Sequence, residues 1–167
     1  LPLLMAFYCL SGPVQNVINA KQYEYIIIEE PEMGLHPLAI QTIILQMIEF
    51  IHNGYKVIVS THSPVLLEFV WVFNALGHIP EEQRVNALSE LFRLSPQSKT
   101  REILNDIYQK KINTYFFTRK GDKVFSTDIS SLDVMSDNLD ITEWGGITQF
   151  STLANDVVSK YVANYGE

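Results

Sequence analysis

Apolar and polar positions follow two rhythms along this chain. Ile26, Ile27 and Ile28 run together within Glu24 to Glu29 and end in adjacent carboxylates, Glu29 and Glu30. An unbroken β-branched run predicts a strand buried on both faces, as inside a parallel sheet. Pro37 then opens a segment where Ile40, Ile43, Ile44, Met47, Ile48 and Ile51 recur at helical spacing, closed by Asn53-Gly54. This predicts a helix with proline at its first position, a wide apolar stripe for a sheet, and a left-handed cap. A second strand is predicted over Lys56 to Ser60. Strand, helix and strand in that order imply parallel pairing through a right-handed crossover.

Around this unit the pattern is plainer. Leu3 to Leu10 reads as a buried helix stopped by Ser11-Gly12-Pro13, and Val14 to Ala20 as a short extra turn. Met33 to Pro37 reads as a turn. Ser63-Pro64 starts a helix through Phe73, broken by Gly77 to Pro80, and further helices are expected over Glu81 to Arg93 and Ile103 to Lys110. Asn113 to Thr118 and Lys123 to Thr127 flank Arg119-Lys120-Gly121-Asp122, which predicts a β-hairpin. Ser130 to Asp140 is loop-like, and Ser151 is expected to cap a last helix carrying Leu153, Val157, Val158, Tyr161 and Val162. The fold class is therefore α/β: a mostly parallel sheet with flanking helices, then a C-terminal β-hairpin and helix.

Composition narrows the class. At 167 residues, 47% hydrophobic and 19% charged, the chain has one domain's worth of core. Lys plus Arg is 12 against 19 for Asp plus Glu, a net charge of −7, which argues against a broad nucleic-acid platform. The lone Cys9 forms no internal disulfide, and a cytoplasmic location is expected. The apolar opening is about ten residues, short of the roughly 20 that cross a bilayer, so no membrane is expected. A start at Leu1 without Met suggests a piece of something longer.

The candidate chemistry sits at the two strand ends. Paired carboxylates after a buried strand are costly unless a cation or hydrogen bonds compensate them, and open α/β sheets bind ligands at that edge. Hydrolysis of a nucleoside triphosphate needs a hard cation on the β- and γ-phosphates and a group that orients and deprotonates water. Glu29 suits the magnesium role and Glu30 the base. His62, leaving the second strand in Ser60-Thr61-His62-Ser63, suits a donor to the γ-phosphate or the attacking water. In isolation a Glu-Glu pair is usually a solvated face and a lone His is structural; their placement one crossover apart raises both. The remaining features have bland explanations. Trp71, Trp144, Tyr115, Phe116 and Phe117 read as packing residues, Trp144-Gly145-Gly146 as a surface turn, and His52 and His78 as helix-end caps. Lys99 and Arg101 read as loop residues, and Asp122, Asp128 and Asp133 make no metal set.

Ile26 to Pro37, with Glu29-Glu30-Pro31-Glu32 and Leu35-His36-Pro37, resembles the extended Walker B and D-loop of ABC-type ATPases, and most nearly the RecF/SMC-related, OLD-like branch. Val57 to Pro64 resembles that branch's switch-histidine strand. The likeness is strong to about Leu76 and weak beyond it, which divides the chain into a motif-bearing core, 1–76, and a helical and hairpin extension, 77–167. It implies Glu29 at the Walker B acid, Glu30 at the catalytic glutamate and His62 at the switch histidine. Met33, Gly34, Leu35 and His36 would form a D-loop crossing a homodimer interface at the nucleotide. It further implies ATP and Mg2+ as cofactors, work in DNA repair or foreign-DNA defence, and DNA or an effector as a possible partner. Glu29 and His36 depart from the transporter form, which argues against membrane transport. No Gly-x-x-x-x-Gly-Lys-Ser/Thr occurs, and Leu10-Ser11-Gly12-Pro13 lacks the second glycine of the ABC signature. The fragment therefore reads as the C-terminal part of an ATPase domain, inactive alone. Two alternatives stand beside it. A Toprim-like metal nuclease would want glycine after Glu29 and Asp-x-Asp at the second strand's end; a non-catalytic interaction module would bind no ATP.

Overall fold

The computed structural model describes residues 24–133 and 135–162. The helix expected over Leu3 to Leu10 and the turn over Val14 to Ala20 lie outside the described residues. Two compact units emerge, one from residues up to Val65 with Ala75–Lys111, the other from Leu66–Asn74 with Ile112 onward.

In the first unit, β1 (Tyr25–Glu29) pairs in parallel with β2 (Lys56–Ser60), Ile27 opposite Ile58 and Glu29 opposite Ser60. The crossover between them is α1 (Pro37–His52). Its start follows from chemistry already visible: Pro37 occupies the first turn, and His36 Nδ1 accepts the Leu38 N–H at 3.2 Å. Its end follows from Gly54, whose φ of +92° lets the chain reverse while its N–H bonds Ile51 O. The stripe Ile43, Met47 and Phe50 packs with Ile28 and Tyr55, and Ile26, Val57 and Val59 close the cluster. Phe50 and Tyr55 meet edge to face at 6.2 Å.

Burial on both strand faces is the first expectation the structure corrects. Ile28 is buried, but Ile27 is 70% and Ile58 50% exposed. The strands alternate because α1 covers one face and no described residue buries the other. Of the expected mostly parallel sheet, the described residues hold one parallel pair, and a separate two-stranded sheet is antiparallel.

Helix α2 (Pro64–Leu76) begins where Ser63-Pro64 predicts, and α3 (Glu81–Leu91) follows. Lys99–Gln109 is a 3₁₀ helix, beginning earlier and winding tighter than the helix expected over Ile103 to Lys110. Its buried residues, Leu104 and Ile107, are three apart, a spacing that three residues per turn keeps on one side. Arg101 is therefore no loop residue: it donates to Asn86 Oδ1 at 2.9 Å. Arg84 bonds Asn105 and Ile79 O and lies 4.2 Å over the Tyr108 ring. His52, expected as a cap, instead faces Asp106 at 2.6 Å.

The second unit contains the body of α2 and the antiparallel strands β3 (Tyr115–Lys120) and β4 (Lys123–Asp128), joined by Gly121-Asp122. It ends in α4 (Leu139–Thr142) and α5 (Gln149–Val162). Ser151 lies inside α5 rather than capping it. Leu67, Ile129, Leu132 and Trp144 form the core, with Phe116 and Ile141 against it. Trp144, read both as a packing residue and as part of a surface turn, lies in the turn after α4 but is buried there, and donates to Leu132 O at 3.3 Å. Tyr115, Phe117 and Trp71, expected as packing residues, are exposed. Asp128 and Asp133 accept the backbone N–H two residues ahead, in local turns. No helix among the described residues is long and apolar enough to cross a membrane.

Candidate functional site

The parallel register decides the site. With Glu29 opposite Ser60, both strands finish at one edge, and the residues that follow each are neighbours. The ladder runs one bond further, Glu30 N–H donating to Ser60 O at 2.9 Å. Glu30 then takes φ +42°, the left-handed region that a non-glycine residue enters at a cost of order 1–3 kcal/mol. Pro31 behind it is buried and disfavours the right-handed helical conformation at Glu30. The turn closes with Met33 N–H on Glu30 O at 3.0 Å. Strain of this kind at a strand-end carboxylate fits a site residue better than a surface one.

Glu30 Oε1 stands 3.4 Å from His62 Nε2, the carboxylate half-buried and the imidazole 87% exposed. An exposed pair like this adds little to stability. At that separation it is also longer than a good hydrogen bond, and open to a ligand or water between or beside the groups. The structure thus brings together the two residues expected as base and phosphate donor. Glu29 lies at the same strand end, exposed, and no described residue pairs with its carboxylate. Magnesium keeps several waters and takes one or two carboxylates beside substrate phosphates, so a free strand-end carboxylate fits it. Among the described residues no group of three or more His, Cys, Asp or Glu is placed to hold a metal ion. In the turn, Gly34 has φ +74°, Met33 and Leu35 are exposed, and His36 caps α1.

Two residues of the site carry roles that the sequence did not suggest. Glu32 Oε1 accepts the Thr61 hydroxyl at 2.5 Å and the His62 N–H at 3.1 Å, and Thr61 Oγ1 accepts the Ser63 N–H at 2.9 Å. Glu32 Oε2 is buried with no partner among the described residues. The available signal was the register itself: pairing position 29 with 60 sets residues 30–32 beside 61–62.

Residues 1–68 match the family described as "AAA domain, putative AbiEii toxin, Type IV TA system". That stretch takes in β1, α1, β2 and the first residues of α2. Over an 88-residue alignment the chain is 32% identical to the Old nuclease of Escherichia phage P2, covering 48% of this chain and 15% of that protein. No solved structure matches the chain. These likenesses relate the segment that holds both strand ends to AAA-type P-loop ATPases and to an OLD-like protein.

Proposed function

We propose that this chain is the C-terminal part of an ABC-type P-loop ATPase domain of the OLD-like branch, which binds ATP with Mg2+ and dimerises around it. The supporting observation is the approach of Glu30 to His62, 3.4 Å apart, at the carboxyl edge of a parallel strand pair. Glu30 accepts a proton from the attacking water. His62 donates to the γ-phosphate or to that water, and so distinguishes the nucleotide before hydrolysis from the nucleotide after it. Glu29 would hold the cation, which when bound would offset charge developing on the phosphates. Met33 to His36 form the D-loop, with the exposed Met33 and Leu35 facing the second copy. The P-loop, the signature and the remaining parallel strands belong to other parts of a longer cytoplasmic protein. Its work is DNA repair or defence against foreign DNA, with dimer closure driving an attached effector.

The test is a Glu30→Gln variant of the full-length protein. It should bind ATP and dimerise as the parent does while turnover falls by about 10²–10⁴-fold, the usual contribution of a positioned base. Unchanged steady-state hydrolysis would overturn the assignment.

The name of the phage relative favours one second reading, that this segment itself forms a metal nuclease of Toprim type. Glu30 where that module wants glycine, and Ser60-Thr61-His62 where it wants Asp-x-Asp, weigh against it. Metal-dependent nicking of plasmid by this chain alone would revive it.

A further inference from the structure

We propose that Glu32 is the positioning residue of this site: its carboxylate ties the turn after β1 to the loop after β2 and sets where His62 stands relative to Glu30. The proposal rests on Glu30 and His62 being the hydrolytic pair. The His62 ring is almost fully exposed, so burial does not hold it in place. Its backbone is held instead. The His62 N–H ends on Glu32 Oε1 and the Ser63 N–H on Thr61 Oγ1, while the Thr61 hydroxyl donates to that same Glu32 oxygen. One carboxylate oxygen therefore gathers two donors from the facing loop, both strengthened by its charge. Its sister oxygen, buried and partnerless, opposes this placement, so the two bonds must outweigh that cost.

Glu32 shares its tight turn with the base. Met33 N–H bonds Glu30 O and Leu35 N–H bonds Glu32 O, which leaves Glu30 and Glu32 two residues apart on one rigid segment. Any shift of that turn moves the base and the imidazole's anchor together. The separation of Glu30 from His62 is thus fixed through the backbone rather than by the weak contact between their side chains.

Because both bonds end on Oε1, substitution separates position from charge. Glu32→Gln keeps an oxygen acceptor for both donors, whereas Glu32→Ala removes it. In the full-length protein without nucleotide, Glu32→Ala should speed amide hydrogen exchange at His62 by roughly ten- to a hundredfold, the scale of a lost hydrogen bond to a charged group. Glu32→Gln should restore most of the protection. For ATP turnover, Glu32→Ala should lower kcat with KM little changed, and Glu32→Gln should recover it. Thr61→Val, a gentler change, should raise exchange at Ser63, and Thr61→Ser should not. Unchanged His62 exchange in Glu32→Ala, or a folded Glu32→Gln that recovers neither protection nor kcat, would overturn the positioning role. Exchange that responds as expected in a protein hydrolysing no ATP would keep Glu32 as the anchor of the His62 backbone and overturn the hydrolytic reading instead.

Discussion

The parallel pair β1–β2 and the antiparallel pair β3–β4 are alike in turning an apolar face outward, although only the first has a buried residue, Ile28, while the second sets Phe116 against its unit's core. Ile27 and Ile58 are exposed on the first, Phe117 and Val124 on the second. They differ in direction. In the parallel pair the last residues, Glu29 and Ser60, face each other, so everything that follows both strands collects at one edge. In the antiparallel pair Tyr115 faces Asp128 and Lys120 faces Lys123, so the two strands finish at opposite edges. Parallel pairing requires a long crossover, here residues 30–55 with the sixteen-residue α1 inside it; two residues, Gly121 and Asp122, suffice for the other. That crossover gains a site in which a carboxylate and an imidazole from distant points in sequence come within 3.4 Å. Polar residues at the β3–β4 turn make local contacts: Arg119 Nε donates to Gly121 O at 2.9 Å, and its guanidinium lies 4.0 Å from Asp122.

Substitutions sharpen the contrast, beginning with the largest effect. Losing the Glu30 base should cut turnover by orders of magnitude, as stated above, whereas Asp122→Asn, at the tip of the other pair, should leave it unchanged; equal losses would mean that strand direction does not localise the chemistry. Next come the two cores. Phe50 and Leu132 are both fully buried, one in each unit. Phe50→Ala should cost about 3–5 kcal/mol and Leu132→Ala about 2–5 kcal/mol, measured by urea unfolding. Glycine positions separate the units more finely. Gly145 has φ +70° and a Cβ there would run into the Phe116 ring, so Gly145→Ala should cost more than the roughly 1–3 kcal/mol of backbone strain alone. Gly54, at φ +92° with open space around it, should lose as alanine only that backbone strain of roughly 1–3 kcal/mol.

The smallest effect is a pH dependence in the first unit. Burial raises Tyr108 above its ordinary 10.0, with the Arg84 guanidinium partly opposing. The unfolded chain ionises first, so stability is intact below pH 10 and falls as pH rises from there through the folded value. Tyr108→Phe should remove the Tyr108 share of that fall in thermal unfolding curves recorded across alkaline pH.

The strand–helix–strand unit was legible because its signals are local: β-branched runs, a 3.6-residue stripe, Pro37 at one end and Gly54 at the other. The pairing of Glu30 with His62 was legible for the same reason, since parallel order follows from the crossover length. Contacts that depend on side chains meeting across loops were not. Glu32 stood in the Glu29-Glu30-Pro31-Glu32 motif without a role until the register set it beside Thr61. Trp144 does lie in the turn that Gly145 and Gly146 signal, and it packs as expected of its indole, but that it packs with Leu67, Ile129 and Leu132 is tertiary information. The 3₁₀ winding of Lys99–Gln109 depends on which residues are buried beneath it, Leu104 and Ile107, and that is a tertiary fact.

The most direct test is a double-mutant cycle for ATP hydrolysis in the full-length protein with Glu30→Gln, His62→Ala and both together. If two strand ends truly form one hydrolytic unit, the double variant falls no further than the worse single variant, because groups that act as a unit are strongly non-additive. Losses that simply multiply would show two residues acting independently, and would contradict the account.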